Sequence, residues 1–159
     1  MSQLKLIRAS KRMTQKDAAL AIGISLRSYK TYENDPKMQK MLKYTYLCER
    51  LEAHIPVDEK HGILTEEDIR RSVRKILNEY EGEVRYAVLY GAYAKDKKPH
   101  PADTVDLLVC TRVSGLRFYD MKNRLRDALR KNVLLTESRE LMKNESLLDE
   151  ILTTGKRIY

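Results

Sequence analysis

The chain has 159 residues, 42% of them hydrophobic, enough for one domain of ordinary size or two small ones. Its longest apolar runs, such as the one around Val105 to Cys110, fall far short of the roughly 18 residues that cross a bilayer. Met1 to Lys11 also lacks the apolar core and small-residue cleavage site of a leader, so a membrane protein is excluded and a cytoplasmic one expected. The net charge of +8 is concentrated: residues 1–55 carry 11 Lys and Arg against 5 Asp and Glu, which is 6 of the 8 excess charges. A polyanionic partner is therefore expected for the first third of the chain. The two cysteines, Cys48 and Cys110, lie far apart without metal-ligand spacing and read as reduced, buried thiols.

In chain order, Leu4, Ile7 and Arg8 begin a short helical pattern that ends at Lys11-Arg12-Met13. Thr14 is a good N-cap for a second helix, in which Ala18, Leu20 and Ala21 continue at helical spacing. Gly23 supplies the left-handed conformation that stops this helix, and Ser25 caps the next. Two short helices around a tight glycine turn are what a helix-turn-helix requires. The stretch from 14 to 35 resembles the Cro and lambda-repressor-like (XRE-type) helix-turn-helix family at Thr14-Gln15, Ala19, Gly23, Ser25 and Tyr32-Glu33.

That resemblance makes Ser25 to Asn34 the recognition helix. Tyr29 and Tyr32 share the spacing of Ile24 and face inward, leaving Arg27, Ser28, Lys30 and Thr31 outward. Arg27 is the candidate for bidentate contact with guanine, and Ser28 and Thr31 for base edges or thymine methyls. Gln15 is placed for a phosphate or base contact. Lys11, Arg12, Lys16 and Lys30 are expected to neutralise phosphates, which gives affinity and salt dependence without sequence information. A further helix is expected over Lys37 to Leu51, with Met38, Met41, Leu42, Leu47 and Leu51 at helical intervals.

Pro56, the charged residues after it and Gly62 read as a connector over 56–64. Thr65 followed by Glu66, Glu67 and Asp68 is a helix start, Ile69, Val73, Ile76 and Leu77 form one apolar stripe, and Gly82 is expected to end the helix. Strands are expected over 85–90, 105–111 and 133–136, with an amphipathic helix over Leu116 to Lys131 carrying Phe118, Met121, Leu125 and Leu129 on one side. The tail holds a short helix followed by Thr153 to Tyr159. His54, His61 and His100 lie in or near connectors and read as surface residues.

This order of elements resembles the minimal nucleotidyltransferases of the DNA polymerase beta superfamily, at Leu89-Tyr90-Gly91, Tyr93-Ala94, Asp106 to Val109 and Gly155 to Tyr159. Relatives of such modules act as antitoxins beside a ribonuclease-like toxin. The resemblance implies a glycine-serine pair gripping nucleotide phosphates, an Asp-x-Asp pair holding two magnesium ions, and a third carboxylate on a neighbouring strand. The sequence departs at each point. Ala92 follows Gly91 in place of serine, Thr104 stands two residues before Asp106, and Leu134 stands where the third acid belongs. Asp103 and Asp106, three apart, point to opposite faces of a regular strand unless a bulge re-aims one of them. Gly91, Ala92 and Lys95 are the residues left to touch a nucleotide. Lys95, Lys97 and Lys98 read as a solvated loop or as an anion or DNA contact.

The expected architecture is two domains: an all-α helix-turn-helix domain over 1–55, then a small α/β (α+β) nucleotidyltransferase-like domain over 65–159 with a short mixed sheet. The expected function is sequence-specific regulation through double-stranded DNA, as a homodimer, with a catalytically degenerate second domain that takes no cofactor and serves dimerisation, ligand binding or a protein partner such as a toxin. The alternatives are an active transferase using magnesium and a nucleoside triphosphate, with Asp103 and Asp106 as catalytic and metal-binding residues, and a plain protein-interaction module.

Overall fold

Seven α-helices and a four-stranded sheet are divided between two units, Met1–Pro56 and Val57–Tyr159, in a computed structural model that describes residues 1–159. No helix is long and apolar enough to cross a membrane.

The first unit is all helix: α1 (Gln3–Ser10), α2 (Gln15–Ile22), α3 (Leu26–Asn34) and α4 (Leu42–Ala53). Each of the first three starts on a hydroxyl cap. Ser2 accepts from the Lys5 amide, Thr14 forms a reciprocal capping box with Asp17, and Ser25 accepts from the Ser28 amide. Gly23, at φ +73°, turns the chain from α2 into α3, a conformation that costs a side-chain-bearing residue more. Ala18 and Ala19 are buried with Leu4, Ile22, Tyr29, Leu47 and Leu51 in one core, the small alanines allowing close backbone approach.

Leu20 continues the spacing of α2 but is 70% exposed, on the face away from the core. One expectation fails here for a local reason. The helix expected over Lys37 to Leu51 is broken, because the Asp35 carboxylate accepts from the Lys37 amide beside Pro36 and a single 3-10 turn, Met38–Lys40, precedes α4. Starting α4 at Leu42 sets its phase so that Tyr44, Leu47, Cys48 and Leu51 face inward, while Leu42 is 91% exposed.

In the second unit, α5 (Glu66–Leu77) begins in a capping box between Thr65 and Asp68 and buries Ile69, Val73, Ile76 and Leu77. It gives way to a 3-10 turn over Asn78–Tyr80, so Gly82 lies in the turn after the helix and not at its end. The strands are β1 (Val84–Tyr90), β2 (Val105–Thr111), β3 (Val133–Glu137) and β4 (Lys156–Arg157), in the order β3-β2-β1-β4. β2 and β3 are parallel, and the other pairs antiparallel. One face of the sheet, through Ala87, Leu89, Leu107, Val109 and Leu135, shares its core with α5 and with α6 (Leu116–Leu129), which supplies Met121, Leu125 and Leu129.

The expected strands are present within a residue of their ends, and the mixed sheet is as anticipated. The edge strand β4 was not. It is two residues long, too short to show alternation, and it is held by Ile158, fully buried, and by Arg74 Nε donating to the Ile158 carbonyl at 2.9 Å. α7 (Glu145–Thr154) precedes it. Lys131, expected at the end of a helix, lies beyond Arg130, whose left-handed φ of +54° closes α6.

Candidate functional site

In the first unit, α3 buries Tyr29 and Glu33 and exposes Arg27, Lys30 and Thr31, with Ser28 half-buried. Arg27, Lys30 and Lys16 make no ion pair, so their charges are available to a partner. The Ser25 and Ser28 hydroxyls are bonded to one another at 2.9 Å, and Thr31 Oγ1 donates to the Arg27 carbonyl at 3.1 Å.

What holds that helix in place is a buried carboxylate. Arg8 reaches Glu33 through two bonds, Nε to Oε2 at 3.0 Å and Nη2 to Oε1 at 3.1 Å, and its Nη1 donates to the Met13 carbonyl. Gln15 Nε2 adds a bond to Glu33 Oε1 at 2.9 Å. Burial pushes the Glu33 carboxyl up, but the bonds from Arg8 and Gln15 outweigh it and hold it below its ordinary value. Glu33 belongs to the family resemblance, yet its role as the tie between α1, α2 and α3 is not legible in the sequence. The Gln15 amide is thus engaged inside the fold. Lys11 is engaged too: its Nζ donates to the Glu52 and His54 carbonyls at 2.8 and 2.6 Å, closing the end of α4.

In the second unit, β1 runs into Gly91, at φ +69°, and a 3-10 turn over Gly91–Tyr93. Asp106 is paired with Tyr90 in register, and its carboxylate lies over Gly91, where a Cβ would come within 2.1 Å of Oδ2. Thr104 Oγ1 donates to Asp106 Oδ1 at 2.6 Å. Burial raises the Asp106 carboxyl above its ordinary value, the Thr104 bond opposes this, and the charges of Glu150 and Asp103 add to the rise.

Asp103 does not join Asp106 on the strand. It precedes β2, and its Oδ2 accepts from the His100 amide at 2.7 Å within its own loop. The β1–β2 pairing is regular from Asp106 to Cys110, with its one irregularity at Val84–Tyr86, so no bulge re-aims either acid. Leu134 pairs with Asp106 on the parallel strand and is 49% exposed, so the strand beside Asp106 offers no carboxylate at that register. No group of three or more His, Cys, Asp or Glu side chains converges in a way that could hold a metal ion. Two hard divalent ions need several anionic oxygens, and one strand carboxylate hydrogen-bonded to a threonine does not fit them.

Beside Ala92 a cleft of about 300 Å³ opens, lined by Ala92, Lys95, Lys97, Lys98, Pro99, His100 and Asp103. Lys95 pairs with Glu150 of α7 at 3.1 Å, a partner that no spacing in the sequence announces. The loop that carries His100 and Asp103 is anchored by Lys131, fully buried, whose Nζ donates to the carbonyls of His61 (3.0 Å), Gly62 (2.8 Å) and Pro101. All three ammonium protons are used, and they tie the segment before α5 to the loop that carries Asp103. The histidines lie outside any nucleophile pattern. His61 is exposed and bonds Asp58, whose carboxyl is drawn down to about 2 by that bond, and His100 Nδ1 accepts from the Ala102 amide. Both cysteines are free thiols, Cys48 buried and Cys110 only half-buried, because it lies near the end of β2 on the face opposite Leu107 and Val109.

No protein-family model and no curated protein match this chain. Among solved structures, similar chains come from toxin-antitoxin proteins. One is from a crystal structure of the toxin-antitoxin MntA-HepT (17% identity, 59% of this chain and 72% of that one, TM-score 0.45). Another is from a toxin-antitoxin crystal structure with AMP-PNP (20% identity, 57% and 72%, TM-score 0.48). A third is from a tri-AMPylated Shewanella oneidensis HEPN toxin in complex with MNT antitoxin (18% identity, 58% and 71%, TM-score 0.45). Likenesses this distant carry no argument about what the chain does.

Proposed function

We propose that this protein is a sequence-specific DNA-binding regulator whose second unit has the frame of a nucleotidyltransferase without its catalysis. The observation that supports it best is the division of α3: Tyr29 and Glu33 are committed to the core, while Arg27 and Lys30 carry unpaired charge outward from a helix fixed by the Arg8–Glu33 tie. On this reading Arg27 contacts a base edge, Lys16 and Lys30 contact phosphates, and Ser25, Ser28 and Thr31 approach the groove beside them. One short recognition helix reads few base pairs, so the active form is a homodimer on a two-fold site.

The second unit then serves as a partner or ligand module, and the family resemblance makes a toxin the kind of protein partner to look for, with this chain as antitoxin and autoregulator. Catalysis is absent on this reading because Asp106 is alone, Thr104 and Leu134 hold the places of its companions, and Asp103 is tied to His100. The test is a duplex selected from a random pool, followed across salt. Lys30→Ala should weaken binding to all sequences and lower the salt slope by about 1, whereas Arg27→Ala should cost about 1–3 kcal/mol and relax the preference at one base pair. Failure to enrich any duplex, or affinities that ignore salt and both substitutions, would overturn the DNA-binding reading.

A further inference from the structure

The cleft beside Ala92 carries the charge of a counter-ion, not of a site for one. Lys95, Lys97 and Lys98 line it against the single carboxylate of Asp103. That carboxylate already accepts from the His100 amide, and Lys95 is matched by Glu150. Lys97 and Lys98 are exposed and make no ion pair. Because His100 Nδ1 accepts from the Ala102 amide, the imidazole proton is on Nε2, which makes that nitrogen a donor. Lys131 fixes the Pro101 end of the same loop, so the lysines are displayed on an anchored segment.

We infer that this cleft binds an oligophosphate chain without a divalent metal, with Lys97 and Lys98 doing the neutralising that magnesium does where carboxylates are present. The inference rests on the reading of the second unit as a retired catalyst. Its volume of about 300 Å³ is at the lower end for ligand sites and suits the phosphate chain better than a whole nucleotide. Ammonium groups and a divalent cation compete for the same phosphate oxygens and repel one another in a shared cleft. Added magnesium should therefore weaken binding, the reverse of a two-metal site.

The experiment is calorimetric titration of the full chain with inorganic tripolyphosphate and with ATP, each in EDTA and in excess magnesium. Binding in EDTA, at least about tenfold weaker in magnesium and in the Lys97→Ala/Lys98→Ala variant, is expected. Equal affinity for the two ligands would identify the phosphate chain as the whole determinant, and tighter binding of ATP would add a contact to the nucleoside; both support the inference. Because residues 1–56 are also basic, Arg27→Ala/Lys30→Ala is the control. Loss of binding in that variant with retention in Lys97→Ala/Lys98→Ala would overturn it. No binding in EDTA or magnesium would overturn the inference alone. Binding only with magnesium, lost in Asp106→Asn, would overturn both the inference and the retired-catalyst reading.

Discussion

Glu33 is a buried carboxylate in one unit and Asp106 a half-buried one in the other, and their surroundings treat them in opposite ways. Glu33 receives two bonds from a guanidinium and one from an amide, and its carboxyl is held below the ordinary range. Asp106 receives one bond from a neutral hydroxyl, faces other acids, and is pushed above it. A carboxylate that a fold depends on is supplied with donors. Asp106 has a single neutral donor and nearby acids, so its charge costs stability where that of Glu33 adds it.

The largest effect should come from breaking the first of these. Glu33→Ala leaves the Arg8 guanidinium without its partner and should cost about 3–5 kcal/mol, enough to unfold residues 1–56, as read by amide exchange in that unit. The pH dependence has a definite sign. Since the folded carboxyl titrates below the unfolded value of about 4, its contribution is present above that pH and is lost as pH falls through the lower, folded value. An acid transition that persists unchanged in Glu33→Gln would refute this role.

Lys131→Met should rank next. It removes a donor from three carbonyls and should cost about 2–4 kcal/mol in denaturant unfolding of the second unit, while loosening the loop from 99 to 104. Gly91→Ala is expected to cost about 1–3 kcal/mol, from both the positive φ and the collision with the Asp106 carboxylate. Adding Asp106→Ala should recover the part due to collision but not the part due to φ, and full additivity of the two losses would contradict the contact.

Asp106→Asn should have the smallest effect and the opposite sign. With a raised folded pKa, the folded state binds more protons than the unfolded one as pH passes between the two values, so stability is lost on going up in pH and the whole cost is present at neutrality. Removing the charge should raise the melting temperature at neutral pH, with the gain vanishing below the ordinary carboxylate range. A drop in melting temperature would mean that the charge is needed.

Much of this frame is legible in the sequence because it is written in local chemistry. Thr14, Ser25 and Thr65 cap helices through their own side chains, Gly23 turns through its own φ, and the stripe from Ile69 to Leu77 repeats within one helix. The identities of Ala92, Thr104 and Leu134 are legible as well, and the register of the strands, which pairs Asp106 with Leu134, follows from alternation. What escapes is long-range pairing by single charged residues. Arg8 meets Glu33 across 25 positions, Lys131 meets His61 across 70, and Glu150 meets Lys95 from a helix whose apolar spacing says nothing of that partner. A lysine or glutamate in such a place looks like any solvated side chain. The broken helix before Leu42 was missed for a different reason: its methionines and leucine kept helical spacing while the Asp35-Pro36 turn set the phase.

The most direct test of the central claim is a titration of the Asp106 carboxyl carbon by NMR, with and without magnesium. A pKa above the ordinary aspartate range, unmoved by magnesium, is expected. A fall in that pKa on adding magnesium would show that Asp106 still gathers a cation, and the second unit would have to be read as a working transferase.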